Sequence, residues 1–158
     1  MKKTFLAISV ACLFISLSAV QTFAHCEIPC GIYGDETRFT MLEEDITTVE
    51  KSMKLIVELS KDGGKNANQL VRWINNKEKH ADLIQETVSQ YFMTQRIKPA
   101  EENKQEEYKK YMEKLTLLHE MLIYAMKSKQ TTDLANVEKL RALVSSFKAS
   151  YLGTMDKK

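Results

Sequence analysis

Three residues near the start of the chain, His25, Cys26 and Cys30, carry side chains that commonly bind metals. They lie in the segment HCEIPCGIY, residues 25–33, directly after a leader that ends at Ala24. Cleavage after Ala24 would make His25 the first residue, so an amine, an imidazole and two thiols would come together at the terminus. Nitrogen and sulfur donors of this kind bind transition metals. The sequence therefore predicts a metal site at the start of a processed chain.

The leader has the features of a secretion signal. Lys2 and Lys3 give it a positive start, residues 5–20 carry no charge, and the small Ala24 suits a cleavage site. The apolar run is shorter than the roughly 20 residues that a membrane-spanning helix needs. We therefore predict that residues 1–24 are a cleaved signal peptide. The protein is then exported to the periplasm or the extracellular space and keeps no stable membrane anchor.

Cleavage also changes the charge of the chain. The leader contains Lys2 and Lys3 and no acid, so its removal takes away the whole formal net charge of +2 and leaves a neutral chain. Nucleic-acid binding needs a basic surface, and we predict no nucleic-acid partner. The remaining residues, 25–158, are enough for one domain with a buried core. Cys26 and Cys30 would be its only cysteines.

Four amphipathic helices are predicted in the rest of the chain. Apolar residues recur three and four positions apart, which places them on one face of a helix. The four apolar stripes are Phe39, Leu42, Ile46, Val49, Met53 and Ile56; Leu70, Ile74, Ala81, Ile84, Val88, Tyr91 and Phe92; Tyr108, Tyr111, Leu115, Leu118, Leu122 and Ala125; and Val137, Leu140, Val144, Phe147 and Tyr151.

Residues that stop or cap helices separate these stripes. The pair Gly63–Gly64 is expected to end the first helix, and Pro99 to end the second. Asp133 is suited to cap the start of the fourth helix, because its carboxylate can accept a hydrogen bond from a free backbone N–H. Gly153 is expected to end that helix.

Short connections between helices favour antiparallel neighbours that bury their stripes against one another. The sequence shows no strand-like alternation and no linker rich in proline or serine. We therefore predict an all-α fold, an antiparallel up-down-up-down four-helix bundle over residues 35–158. An irregular N-terminal hook, residues 25–34, precedes it in the same domain.

The two histidines of the bundle do not fit common metal motifs. Ferritin-like sites need Glu-x-x-His, but the residues three before His80 and His119 are Lys77 and Thr116. Covalent haem attachment needs Cys-x-x-Cys-His, whereas the two cysteines here are four apart and no histidine follows them. We expect His119 to be a hydrogen-bonded core residue and His80 to lie on a solvent-exposed face.

The segment HCEIPCGIY resembles the nickel-binding hook of nickel-containing superoxide dismutases. In that family the mature chain begins with HCxxPCGxY ahead of a four-helix bundle. The resemblance implies an oxidoreductase that converts superoxide to oxygen and hydrogen peroxide by Ni(II)/Ni(III) cycling. It also implies one nickel ion per chain and a homohexamer. The matching residues are His25, Cys26, Pro29, Cys30, Gly31 and Tyr33.

The resemblance assigns roles to individual residues. The amine of His25, the backbone nitrogen of Cys26 and the thiolates of Cys26 and Cys30 would form a plane that suits Ni(II) or Cu(II). The imidazole of His25 would join axially in the oxidised state. Tyr33 would order water or an anion at the open axial face, or else fasten the hook to the bundle. The expected catalytic residues are therefore His25, Cys26, Cys30 and Tyr33, and the first three are the expected metal ligands.

Maturation follows from the same resemblance. Relatives often carry a short pro-sequence that a dedicated peptidase removes, whereas this leader has the form of an export signal. A signal peptidase or a maturation peptidase is therefore an expected partner. Either enzyme would release the amine of His25.

A disulfide between Cys26 and Cys30 is the alternative interpretation. Export to an oxidising compartment favours disulfides, and the protein would then be an exported helical structural or interaction protein. So short a loop gains limited stabilisation from its closure. The disulfide also leaves the position of His25 and the residues Gly31 to Tyr33 unexplained. Nickel content and the number of free thiols distinguish the two interpretations.

Overall fold

The computed structural model describes residues 34–62 and 64–153, which form four α-helices and no strand. The helices are α1 (Asp35–Leu59), α2 (Ala67–Glu86), α3 (Gln105–Gln130) and α4 (Leu134–Leu152). A 3-10 turn, Ser60–Asp62, follows α1, and a π-helical segment, Thr87–Arg96, continues α2. The described residues are therefore all-α and consistent with a four-helix bundle. The predicted signal peptide and the hook as far as Tyr33 lie outside them.

The apolar stripes meet in one core, as the sequence predicted. α1 packs against α2 and α4, and α3 packs against the same two helices. All five stripe residues of α4 are buried, and so are the α1 residues from Phe39 to Met53 in the stripe. None of the described helices contains a segment long and apolar enough to cross a membrane.

An aromatic cluster fills the core at the end where α1 begins and α4 ends. Its ring centroids lie 5.0 to 6.1 Å apart, and several pairs meet edge to face, the arrangement that the ring quadrupoles favour. The cluster joins α1, the π-helical segment and α4. Its members are Phe39, Tyr91, Phe92, Phe147 and Tyr151.

The opposite end of the core is closed by a buried lysine. Lys77 of α2 is only 5% exposed, and its ammonium donates to the backbone carbonyls of Lys129 and, at 3.2 Å, Thr131. These carbonyls lie at the end of α3, where a helix leaves backbone acceptors without partners. Ile74, predicted to be buried, is 38% exposed. It lies about one turn before Lys77 and therefore beyond the end of α3.

Neither histidine lies in the environment predicted for it. Nδ1 of His80 lies 2.7 Å from a carboxylate oxygen of Asp45, so His80 joins α2 to α1 instead of facing solvent freely. Burial raises the pKa of Asp45. His119, predicted to be a core residue, is exposed. The charged neighbours of His80 suggested a solvated face, but position 80 is on the edge of α2 that faces α1.

The helix ends agree in part with the predicted stops. Asp133 caps α4 by accepting a hydrogen bond from the backbone N–H of Ala135 at 3.0 Å, and α4 ends immediately before Gly153, both as predicted. Gly64 adopts a φ of +91°, which suits a chain reversal after the first helix. The second helix was expected to stay α-helical until Pro99. Instead it changes to π-helical winding at Thr87.

Ser128 provides a test of the packing. Its hydroxyl is buried and has no hydrogen-bond partner among the residues that the structure describes. Because a buried polar atom without a partner destabilises the folded state, Ser128→Ala should raise the free energy of unfolding by about 1 kcal/mol. Urea unfolding at fixed protein concentration measures this change.

Ser52 is the matched control for Ser128. It is equally buried, but its hydroxyl donates to the Thr48 carbonyl at 2.7 Å and accepts from Asn76 at 3.1 Å. Ser52→Ala should therefore lower the free energy of unfolding. Equal destabilisation by the two substitutions would contradict the account of Ser128.

Candidate metal centre

The four residues predicted to form the metal centre, His25, Cys26, Cys30 and Tyr33, lie outside the described residues. Gly34 is the first of the described residues, and it joins the predicted hook to α1. Within residues 34–62 and 64–153, no group of three His, Cys, Asp or Glu side chains is placed to hold a metal ion. The structure therefore defines the part of the bundle to which the candidate centre is covalently attached.

The chemistry of the predicted donor set fits nickel. A processed terminus would offer the amine and imidazole of His25 together with the thiols of Cys26 and Cys30. Nitrogen and anionic sulfur donors suit Ni(II) in a square-planar arrangement. The thiols must lose their protons to bind, so metal binding and proton release are coupled at this site.

Gly34 gives the junction an unusual backbone. Its φ is +78°, in the region that favours glycine, and no atom of the described residues lies within 4 Å of the position a Cβ would take. Gly34 is the N-cap residue of α1 and makes no side-chain hydrogen bond to the start of the helix. The direction in which α1 continues from the hook is therefore set by a glycine conformation and by the residue that follows.

That residue, Asp35, is the centre of a polar cluster. Its first carboxylate oxygen accepts hydrogen bonds from the Tyr91 hydroxyl and, at 3.1 Å, from Nε of Arg96. Its second oxygen accepts from the Tyr151 hydroxyl at 2.9 Å. Nη2 of Arg96 also donates to the Tyr91 hydroxyl at 2.9 Å. We call Asp35, Tyr91, Arg96 and Tyr151 the Asp35 cluster.

The Asp35 cluster lies on the aromatic cluster and shares both tyrosines with it. The guanidinium carbons of Arg38 and Arg96 lie 4.9 Å and 4.7 Å from the centroid of the Tyr91 ring. Cations over an aromatic face are attracted by the ring quadrupole. The ammonium of Lys114 lies 5.7 Å from the centroid of Tyr151, and burial lowers its pKa.

The titration of the cluster follows from its burial and its charges. Burial, followed by the hydrogen bond to Asp35, raises the pKa of both Tyr91 and Tyr151. The hydrogen bond to Tyr91 raises the pKa of Arg96. Both phenols therefore stay protonated and remain hydrogen-bond donors to the carboxylate over the physiological pH range.

The π-helical segment explains why Arg96 reaches this cluster. In an α-helix, two residues five apart point in directions about 140° apart. In a π-helix the backbone bonds join residues i and i+5, so Tyr91 and Arg96 are about one turn apart and lie on the same side. The N–H of Ile97 donates to the Phe92 carbonyl at 2.9 Å, which shows the same five-residue spacing.

The sequence alone does not indicate a role for Asp35 or Arg96, and it predicts Tyr91 and Tyr151 only as core residues. Their burial is confirmed. One signal was present, because a tyrosine on a buried stripe needs a partner for its hydroxyl. The sequence did not indicate which acid would supply that partner, since Arg96 joins it only through the π-helical winding.

A family model described as nickel-containing superoxide dismutase matches residues 20–155, which is most of the chain and includes the segment HCEIPCGIY. No curated protein and no solved structure matches the chain significantly.

The hydrogen bonds of the Asp35 cluster should make the free energy of unfolding depend on pH in the alkaline range. An unfolded tyrosine ionises near pH 10, whereas the pKa of Tyr151 in the folded chain is higher. The stability gained from the neutral phenol is thus complete below about pH 10 and is lost as the pH rises towards the folded pKa. The advantage in unfolding free energy of the wild type over Tyr151→Phe should therefore shrink between about pH 9 and pH 12. Two parallel stability curves over this range would contradict the assignment.

Proposed function

The chain belongs to the nickel-containing superoxide dismutase family, and we propose that its nickel is bound at the processed N-terminus by His25, Cys26 and Cys30. The protein is an oxidoreductase with a nickel cofactor, and superoxide is its substrate. In the overall reaction two superoxide ions and two protons give one molecule of oxygen and one of hydrogen peroxide. The observation that carries the proposal is the family match across a chain that contains the segment HCEIPCGIY.

The three ligand residues have separate tasks in this proposal. Cys26 and Cys30 supply thiolates, which are soft anionic donors, and Cys26 also offers its backbone nitrogen. His25 supplies the terminal amine in the plane and its imidazole on one axial side. Nickel, when bound, supplies the one-electron chemistry of the Ni(II)/Ni(III) couple. Thiolates and the deprotonated backbone nitrogen of Cys26 favour the higher oxidation state because these anionic donors raise the electron density at the metal.

Tyr33 is proposed to act at the open axial face. Its phenol can donate one hydrogen bond and accept another, so it can orient water or a small anion. It is three residues after Cys30 and two before Asp35. The Asp35 cluster therefore lies close in sequence to the residue that we assign to the reactant side.

Cleavage of the leader controls the assembly of the site. While Ala24 and His25 are joined, the nitrogen of His25 is an amide and is a poor ligand. We propose that residues 1–24 direct export to the periplasm or extracellular space and are then removed by a signal peptidase or a maturation peptidase. The hook would acquire its first donor only at that step.

We further propose an antiparallel up-down-up-down topology for the bundle. Contacts between α1 and α2 support it, because positions 45 and 52 meet positions 80 and 76, so one number rises as the other falls. The same reversal joins α3 to α4, where Glu120 pairs with Lys139 and Lys114 lies over Tyr151.

The family membership also leads us to propose a homohexamer. Large apolar side chains remain exposed on α1 and α2, with Val57 47% and Val71 55% accessible in the single chain. Contacts between copies would remove such surface from water. The solution mass of the exported protein tests this assembly directly.

Substitution of the hook residues tests the ligand assignment. Cys26→Ser and Cys30→Ser should each abolish nickel binding, because a hydroxyl at neutral pH does not replace a thiolate. His25→Ala should retain some nickel and lose most of the superoxide turnover, because the amine and both sulfurs remain while the imidazole is lost. Metal analysis under reducing conditions and a superoxide assay measure these two quantities.

Retention of the leader is the matched control for the same assignment. A chain that keeps residues 1–24 has every cysteine but no free amine at His25, so it should lack turnover. If the uncleaved chain is equally active, the terminal amine is not a ligand. If the processed chain contains no nickel and has lost two thiols, the Cys26–Cys30 disulfide interpretation is correct.

A further inference from the structure

We propose that Asp35 is a positioning residue for the nickel site, because its carboxylate fixes the point at which the hook leaves the bundle. The inference rests on the proposed function of residues 25–33. It concerns a residue that lies outside the HCxxPCGxY motif. Asp35 does not contact the reacting atoms in this account; it acts through the chain that it holds.

The contacts of Asp35 are more numerous than a helix start requires. An acidic residue in the first turn of a helix is favoured by the helix dipole alone and does not need a partner. Asp35 nevertheless uses both carboxylate oxygens, accepts three side-chain donors and is only 14% exposed. The donors come from the π-helical segment and from α4, so one carboxylate joins three elements of the fold.

The donors are themselves held by independent contacts. Tyr151 packs in the aromatic cluster against Phe147 and Phe39, which fixes the direction of its hydroxyl. The guanidinium of Arg38 lies 4.9 Å from the centroid of the Tyr91 ring, and this ring packs edge to face on Phe92. The Asp35 carboxylate is therefore bound by groups that have little freedom to move with it.

The π-helical winding adds a second, independent observation. Runs of this length are rare, and π-helical turns are frequent at functional sites. Here the winding has an identifiable result, because it places Arg96 beside Tyr91 and lets its Nε reach Asp35. An α-helical continuation would direct Arg96 away from this carboxylate. The π-helical segment therefore supplies a hydrogen-bond donor, Arg96, to Asp35, the residue that follows the hook.

The distance along the chain makes this anchoring relevant to the metal. Asp35 is only five positions after Cys30, with four residues between them, and five residue steps span at most roughly 18 Å. Fixing Asp35 thus limits the volume open to the second thiolate. Restricting the unbound hook in this way lowers the conformational entropy that nickel binding must remove.

Nickel release from the processed full chain tests the role of Asp35. Asp35→Asn removes the charge paired with Arg96. It also places an N–H₂ group either against the Tyr151 hydroxyl or against the Tyr91 hydroxyl and Nε of Arg96, all of which donate to the carboxylate. The nickel–thiolate absorption should then decay about ten times faster in excess chelator than in the wild type, a change typical of losing a residue that orients metal ligands. The absorption spectrum of the bound nickel should also shift.

Asp45→Asn is the matched control. Asp45 lies on the same helix about 15 Å further along. Its side chain is 11% exposed, and one of its carboxylate oxygens lies 2.7 Å from Nδ1 of His80. The Asp45→Asn variant should have a lower melting temperature than the wild type, as Asp35→Asn does. Its nickel release rate and its nickel absorption spectrum should be unchanged. Equal release rates for the two variants would overturn the proposal, since the effect would then be one of general stability.

Tyr151→Phe provides a second, milder variant. It removes one donor to Asp35 and keeps the ring in the aromatic cluster, so it decides the question if Asp35→Asn yields no folded protein by circular dichroism. It should release nickel faster than Asp45→Asn does, and an unchanged rate would overturn the role of the cluster. If the processed wild type itself shows no nickel–thiolate absorption, the proposed function fails, a result distinct from failure of the role of Asp35.

Discussion

The carboxylate of Asp35 joins three parts of the molecule at the place where the predicted metal-binding terminus meets the bundle. Hydrogen bonds from Tyr91, Arg96 and Tyr151 bring the start of α1, the π-helical segment and the end of α4 to one point. A partly buried carboxylate is stable only when such donors surround it. The aromatic cluster below fixes the two tyrosines, so packing of the core and orientation of the carboxylate depend on each other.

A metal site at a chain terminus meets a physical difficulty that a site inside a bundle does not. Its ligands belong to one short segment, and a segment of that length has no core of its own to fix them. The bundle can supply order only through the residues at which the segment joins it. Gly34 sets the direction of that junction with a positive φ, and Asp35 holds its position. In the site that we propose, the four helices thus act as a rigid base for metal chemistry outside their core.

Much of the fold could be predicted from the sequence, because apolar periodicity and capping residues act locally. The stripe of α4, the Asp133 cap and the stop at Gly153 all follow from such local rules. The π-helical segment could not be predicted, since a single i+5 register has no distinct pattern of side chains. The pairing of His80 with Asp45 depends on how α1 packs against α2, so the local sequence around either residue does not predict it. The HCxxPCGxY motif indicated the candidate ligands, whereas Asp35 and Arg96 required the three-dimensional structure.

In the maturation that we propose, the leader belongs to the chemistry as well as to export, because the amine of His25 would exist only after the bond to Ala24 is cut. The most direct measurement is the intact mass of the exported protein together with its nickel content and nickel X-ray absorption spectrum. The account predicts a chain that begins at His25, about one nickel ion per chain and two sulfur ligands on that nickel, as expected for a mixed nitrogen and sulfur site. A processed chain that carries a Cys26–Cys30 disulfide and no nickel would contradict it.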